Sequence, residues 1–426
     1  MSKIIPGGRA RSPNSSLFIE RARILSTSAY IELEYIKNEK FAANLVDAKK
    51  HTTNWIRLYF WILGFNSALF FTMMMTSMHY FKIKYKEYTF SFISLAAVNL
   101  PVFLAIFVIS GLKHISNSTQ LMVSLTGALL SFYACYYFAK TMPDSATGMT
   151  LVTLFQVLGS LNQYTFQANA IKIASFYDPK CISFYYASNT LCAISSSLIA
   201  FLAVYYKATR DGFMIMFCVF LGVVVFICLV THSIMMYSEY YQKRISEEHD
   251  PEDGNLDQIY ESFLKVKGDL IILLVTVALT SITWKSVFYE IKPSFIDDSI
   301  WNNSVNIGTH GAEFFGKLQG YNFAFKPILD YFYWFPWVYN IIINGAYIWD
   351  NTDIFDTYWV LFSVLLLFLS YRNGIAITFF VSKAVLETKD PNCAMIMNYS
   401  KAAGGALGSI ICLGVGYLKH LVKHSL

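Results

Sequence analysis

Charge is the scarcest commodity in this chain. Only 14% of its 426 residues are charged, where a soluble domain carries about 25%. A chain so poor in charge cannot cover itself with hydrated surface, and a mean hydropathy of +0.43 agrees. An ordinary soluble globular protein is therefore excluded. The net charge is +5, but the basic residues are dispersed beside apolar runs, which argues against a nucleic-acid partner. HExxH, GxSxG and Walker patterns are missing, so no nucleophile is paired with a base and no ATP-driven pump is indicated. An enzyme is not expected. The seven cysteines, Cys135, Cys181, Cys192, Cys218, Cys228, Cys393 and Cys412, form no CxxC pair and no His/Cys cluster. They fall in or beside apolar runs and read as small buried apolar residues, with no metal, cofactor or disulfide expected. The first apolar run begins near Trp55, behind a polar tail, so no cleavable signal peptide is expected.

What the chain has instead is long hydrophobic runs. A bilayer core needs about 20 mostly apolar residues per helix. Eleven segments qualify, near 55–81, 88–112, 118–139, 146–172, 181–206, 212–238, 268–291, 305–323, 327–349, 357–382 and 393–418. The expected protein is all-α and polytopic. Its parts are a cytosolic tail (1–53), a six-helix bundle (54–238), a cytosolic loop (239–267) and a five-helix bundle (268–426). Part of the tail, about 17–48, could form an amphipathic or soluble helix. The loop carries SEEHDPEDGN, a solvated run. Arg9, Arg11, Arg21 and Arg23 place the tail in the cytosol, and Lys243, Arg244, Lys265 and Lys267 do the same for the loop. Lys82, Lys84 and Lys86 then lie outside, an exception. An odd number of spans puts the C-terminus outside the cytosol, in the plasma membrane by preference. The sequon at Asn302 falls in an external loop and is a glycosylation candidate. Those at Asn14 and Asn117 fall on the cytosolic side and should be silent.

Polar side chains inside spans are costly and normally face the bundle interior or a watery cavity. In the eighth span Asn306, His310, Glu313 and Lys317 recur at 4-3-4 spacing, which places them on one helical face. Glu313 precedes Lys317 by four residues, the better order for such a pair. This stripe either lines a solute pathway or is a structural pair that lets the helix exist in the membrane. In the fourth span Gln156, Gly159, Gln163 and Gln167 form a second stripe. Glutamine amides both donate and accept, which suits a neutral solute with mixed hydrogen-bonding groups; interhelical bonding is the plainer alternative. Gly404 and Gly408 make a small-xxx-small packing surface in the last span. Lys172, Lys285 and Lys401 are lysines that must snorkel, pair or face water.

These residues sit in segments that resemble the equilibrative nucleoside transporter family. LGFNSALFFTMMMTSMHYF resembles that family's LGxGxLLPWNxFxTAxxYF, keeping Gly64, Thr76, Tyr80 and Phe81, with Phe70-Phe71-Thr72 replacing Pro-Trp-Asn. GSLNQYTF resembles GxxLQGSLFG, with Gln163 at the glutamine. GAEFFGKL resembles FDWLGR, with Glu313 for Asp, Gly316 for Gly and Lys317 for Arg; His310 stands where the family usually has Asn. RNGIA resembles SNGY through Asn373 and Gly374, and IMNYSKAAGGALG resembles IMxFFLCLGLALG through Gly404 and Gly408. The five segments run in the family's order across nearly the whole membrane domain. Lys285 and Lys401 stand where the family is apolar or has proline.

The resemblance implies a major-facilitator-like fold of six plus five helices with a central site, working as a monomer by alternating access. It implies nucleosides as substrates, nucleobases in some members, and protons as coupling ions in others. By that likeness Gln163, with Gln167 one turn on, hydrogen-bonds the base; Phe71, Met75 and Trp284 wall it in; Glu313 and Lys317, beside His310, engage ribose hydroxyls or hold the site's shape. Gly316 and Asn373 belong to the packing of that region. Two other readings stay open. One is a same-fold carrier of another polar solute, a sugar or organic cation. The other is a transport-dead receptor or scaffold that docks partners on the tail and loop.

Overall fold

A computed structural model describes residues 49–85, 90–112, 114–206, 209–248, 256–282, 294, 296, 298–348, 352–388 and 390–425. The tail helix expected over 17–48, Trp284 and Lys285 lie outside the described residues. Within them all regular structure is helical. The first half holds α1 (Asn54–Thr76), α2 (Met78–Lys84), α3 (Phe90–Asn99), α4 (Val102–Gly111), α5 (Asn117–Thr141), α6 (Ala146–Ala174), α7 (Pro179–Tyr205) and α8 (Arg210–Met235). After α9 (Glu239–Glu248) the second half holds α10 (Leu256–Ile282), α11 (Asp298–Gln319), α12 (Lys326–Tyr331), α13 (Phe335–Ile348), α14 (Thr352–Thr388) and α15 (Pro391–Ser425).

Local chemistry sets several of these starts. Thr53, Ser116, Ser145 and Thr209 each stand just before a helix and accept a hydrogen bond from an amide in its first turn, satisfying a donor that would otherwise be orphaned. By length and composition, six segments among the described residues can cross a membrane: Asn54–Thr76, Ile93–Gly111, Asn117–Thr141, Pro179–Ala203, Arg210–Met235 and Asp356–Thr388. The other long helices are more polar because polar side chains turn inward, as in α6, which buries Gln156, Gln163, Gln167 and Asn169. Large apolar side chains such as Phe107, Val219, Phe226 and Ile341 point outward, the reverse of a soluble surface and the normal state of a lipid face.

The helices pack as two bundles. In the first, α1 lies against α6 and α7, and α5 against α6; in the second, α10 pairs with α15 and α11 with α14. At Gly404 and Gly408, α15 runs against α10 so closely that a Cβ would sit 2.5 Å from the Leu274 carbonyl and 2.6 Å from that of Ala278. The bundles meet where α7 faces α11 and α6 faces α15.

Three expectations need correction, and one span carries an interruption. The second span stands as Ile93–Gly111, with its helix interrupted between α3 and α4 at Leu100-Pro101, because proline brings no amide hydrogen and restrains the residue before it. The seventh span's helix starts at Leu256 rather than 268, so α9 and the first turns of α10 occupy much of the segment read as a solvated loop. The ninth span is two helices, α12 and α13, and Pro336 sits in the first turn of α13, where its missing amide costs nothing. Asn302 lies within α11 rather than in a loop.

Candidate functional site

The two polar stripes land in different bundles, and α7 runs between them. On the first side, Gln163 is buried against α1: its Oε1 accepts from the Phe70 amide at 3.2 Å, and its Nε2 donates to the Asn66 and Ser67 carbonyls at 3.1 and 2.6 Å. Gln167 also donates to the Ser67 carbonyl. The Ser67 hydroxyl, which donates to the Gly64 carbonyl, accepts from Asn189 of α7 at 2.9 Å. The Gln163 amide thus ties α6 to the backbone of α1 in this conformation. Phe71 and Met75, farther along α1, are half-buried. Gln156 is fully buried, and neither amide atom has a partner among the described residues.

The second side is ionic. Lys317 Nζ lies 2.9 Å from Glu313 Oε1, with side chains only 3% and 11% exposed. His310 Nδ1 is 3.7 Å from Glu313 Oε2. Asn373 of α14 donates to Glu313 Oε1 at 3.5 Å. These groups come together because α11 and α14 cross in close contact: a Cβ on Gly316 would overlap the Tyr371 carbonyl, and one on Gly374 the Glu313 carbonyl. Burying such a pair is tolerable only because each charge offsets the other and the remaining donors find partners.

One of those partners crosses the bundle interface. Lys317 Nζ donates to Thr190 Oγ1 of α7 at 2.6 Å, so the adjacent residues Asn189 and Thr190 reach Ser67 of α1 and Lys317 of α11 respectively. Further cross-bundle contacts surround this bond. Ser183 donates to the Lys317 carbonyl at 2.5 Å, and Tyr186 donates to Asn398 Oδ1 of α15 at 3.0 Å. Lys401 places its ammonium 4.9 Å from the centre of the Tyr186 ring, a cation–π contact, within Coulombic range of Lys317 and Glu313. Trp61 packs on Phe184 and Phe314 at 5.9 Å each. Lys172 poses a smaller question, since it sits in the last turn of α6, where a cation suits the helix C-terminus.

Asn189, Thr190, Ser183, Tyr186 and Asn398 escaped the sequence reading. A signal was present in α7, where Ser183, Tyr186 and Asn189–Thr190 recur every three to four residues. Hydroxyl and amide groups in an apolar helix carry no charge, however, and so do not stand out.

No family model matches the chain, and no curated protein matches it in sequence. Solved structures do. The Escherichia coli fucose:proton symporter aligns with a TM-score of 0.56 at 12% identity, over 86% of this chain and 98% of that one. The proton:xylose symporter XylE aligns at 0.59 and 12%, over 87% and 89%. The nucleoside transporter NupG aligns at 0.50 and 13%, over 87% and 99%. The fold is major-facilitator-like. At these identities the likeness carries the fold alone, and within it the Thr190–Lys317–Glu313 cluster occupies the seam between the two halves.

Proposed function

We propose that this chain is a carrier that moves nucleosides, and nucleobases with them, across a membrane by alternating access. The observation that carries this reading is the Lys317–Thr190 bond at the end of a buried ion pair. It places polar, solute-sized chemistry on the seam about which two halves of this fold would rock. The residue resemblance along five segments supplies the substrate class. The cytosolic N-terminus, the external C-terminus, residence in the plasma membrane and action as a monomer belong to the same proposal.

Within it, Glu313 and Lys317 engage ribose hydroxyls, with Thr190 and Asn373 beside them. Gln163 and Gln167 contact the base once their bonds to the α1 backbone are released. A sugar is the second reading, favoured because two of the similar structures are symporters of fucose and xylose. Ribose and a free sugar offer the same hydroxyls to the pair. Uptake of labelled adenosine, inosine and adenine into proteoliposomes at pH 6 and 8, with glucose, fucose and xylose as competitors, separates the readings. Nucleoside flux that excess sugar leaves untouched supports the proposal; flux of sugar alone replaces it. Absence of any flux from protein that still binds nucleoside points to a receptor.

A further inference from the structure

The central site uses one face of α14, through Asn373. The next residue back, Arg372, faces elsewhere and is only 4% exposed. Its Nε and Nη1 have no hydrogen-bond partner among the described residues, and its Nη2 donates at a long 3.4 Å to the Leu329 carbonyl. A guanidinium carries five donors and does not deprotonate, so a bare buried one is strongly unfavourable unless something answers it. Arg372 forms part of the wall of a cavity of about 720 Å3 between α10, α12 and α14.

Three carboxylates, Asp269, Asp330 and Glu387, and two lysines, Lys326 and Lys383, also line this cavity. Lys383 binds Asp269 at 2.8 and 3.0 Å and lies 3.9 Å from Glu387. Lys326 lies 4.0 Å from Asp330, whose side chain is 59% exposed. Lys383 stands three turns along α14 from Arg372, about 16 Å, so its carboxylates ring a different part of the cavity. The rest of the lining mixes apolar Leu329, Ala376, Phe379 and Phe380 with Thr276. At the edge, Ile272 is 52% exposed and Tyr333 68% exposed, on the face a bilayer would cover.

We infer that this cavity binds a phosphate group, held in a charge-assisted fork by Arg372. Arginine's planar donors match phosphate oxygens in pairs. A cavity of this size holds a small molecule or a headgroup, and an opening among lipid-facing side chains admits a phospholipid as well as a free anion. This site is separate from the transport pathway and does not depend on the substrate proposed above.

The test uses the purified full-length chain in phosphate-free maltoside micelles and reads its melting temperature. One arm adds sodium phosphate against sodium chloride of equal ionic strength. The other adds phosphatidylglycerol to the micelles. A rise of about 2 °C or more is expected in at least one arm at saturation. It should vanish in Arg372→Gln, and also in Ile272→Trp, which obstructs the cavity without touching the guanidinium. A rise with lipid alone identifies a headgroup, and a rise with phosphate identifies a free anion. If Arg372→Gln does not fold, Ile272→Trp decides. No rise in either arm, or an equal rise in the variants, overturns the inference.

Discussion

Removing Glu313 is the sharpest perturbation this structure offers. Lys317 is almost fully enclosed and has two near partners, the Glu313 carboxylate at 2.9 Å and the Thr190 hydroxyl at 2.6 Å. Glu313→Gln keeps the volume and leaves a buried ammonium with neutral company. Breaking one side of a buried pair costs about 3–5 kcal/mol, a large fraction of what usually holds a fold together. Lys317→Met leaves Glu313 with Asn373 and His310, and should cost about as much. The double variant Glu313→Gln/Lys317→Met contains no bare charge. Its loss should therefore fall well below the sum of the singles, with a coupling of at least about 1 kcal/mol. Folded yield and melting temperature of the purified protein read this directly, while uptake in proteoliposomes reads function. The expected pattern is two poorly stable singles and a double variant that regains stability but not nucleoside uptake. A further comparison separates recognition from scaffolding: a free nucleobase, lacking ribose, should be carried by the double variant far better than its nucleoside. Additive single losses would refute the pairing argument, and equal loss of nucleobase and nucleoside would refute ribose recognition.

Other expectations follow from the same geometry. Gln163→Leu removes bonds to Asn66, Ser67 and Phe70, and should abolish most uptake at normal surface expression; unchanged uptake would return Gln163 to packing. Gly316→Leu should prevent folding by driving α14 away from α11, since even a Cβ overlaps the Tyr371 carbonyl; normal yield would contradict that crossing. His310 can change charge between about pH 5 and 8, and once protonated it competes with Lys317 for one carboxylate. Uptake should therefore fall as pH drops through that range, and His310→Asn should flatten the profile; an unaltered profile removes His310 from the mechanism. An epitope placed after Leu426 should be digested by protease added outside intact cells, whereas protection would mean an even number of crossings.

Much of the architecture was written in composition and periodicity. Scarce charge and long apolar runs determined an all-α membrane protein, because lipid leaves backbone groups no partner except within their own helix. The periodic placement of Asn306, His310, Glu313 and Lys317 determined that a polar face exists on α11, since side chains three or four apart share a side. Proline identities at Leu100-Pro101 and Pro336 already held the helix breaks, although a hydropathy window averages across them. What periodicity could not supply was the partner of each face. That Lys317 reaches Thr190 of α7, that Gln163 bonds to α1 rather than standing open, and that Arg372 turns to a cavity while Asn373 turns to Glu313 all depend on how helices distant in sequence cross. Those crossings are set by where small residues such as Gly316 and Gly374 let two backbones touch. A helix carries its own stripe in its sequence, but what the stripe faces belongs to the bundle, and only tertiary packing decided it.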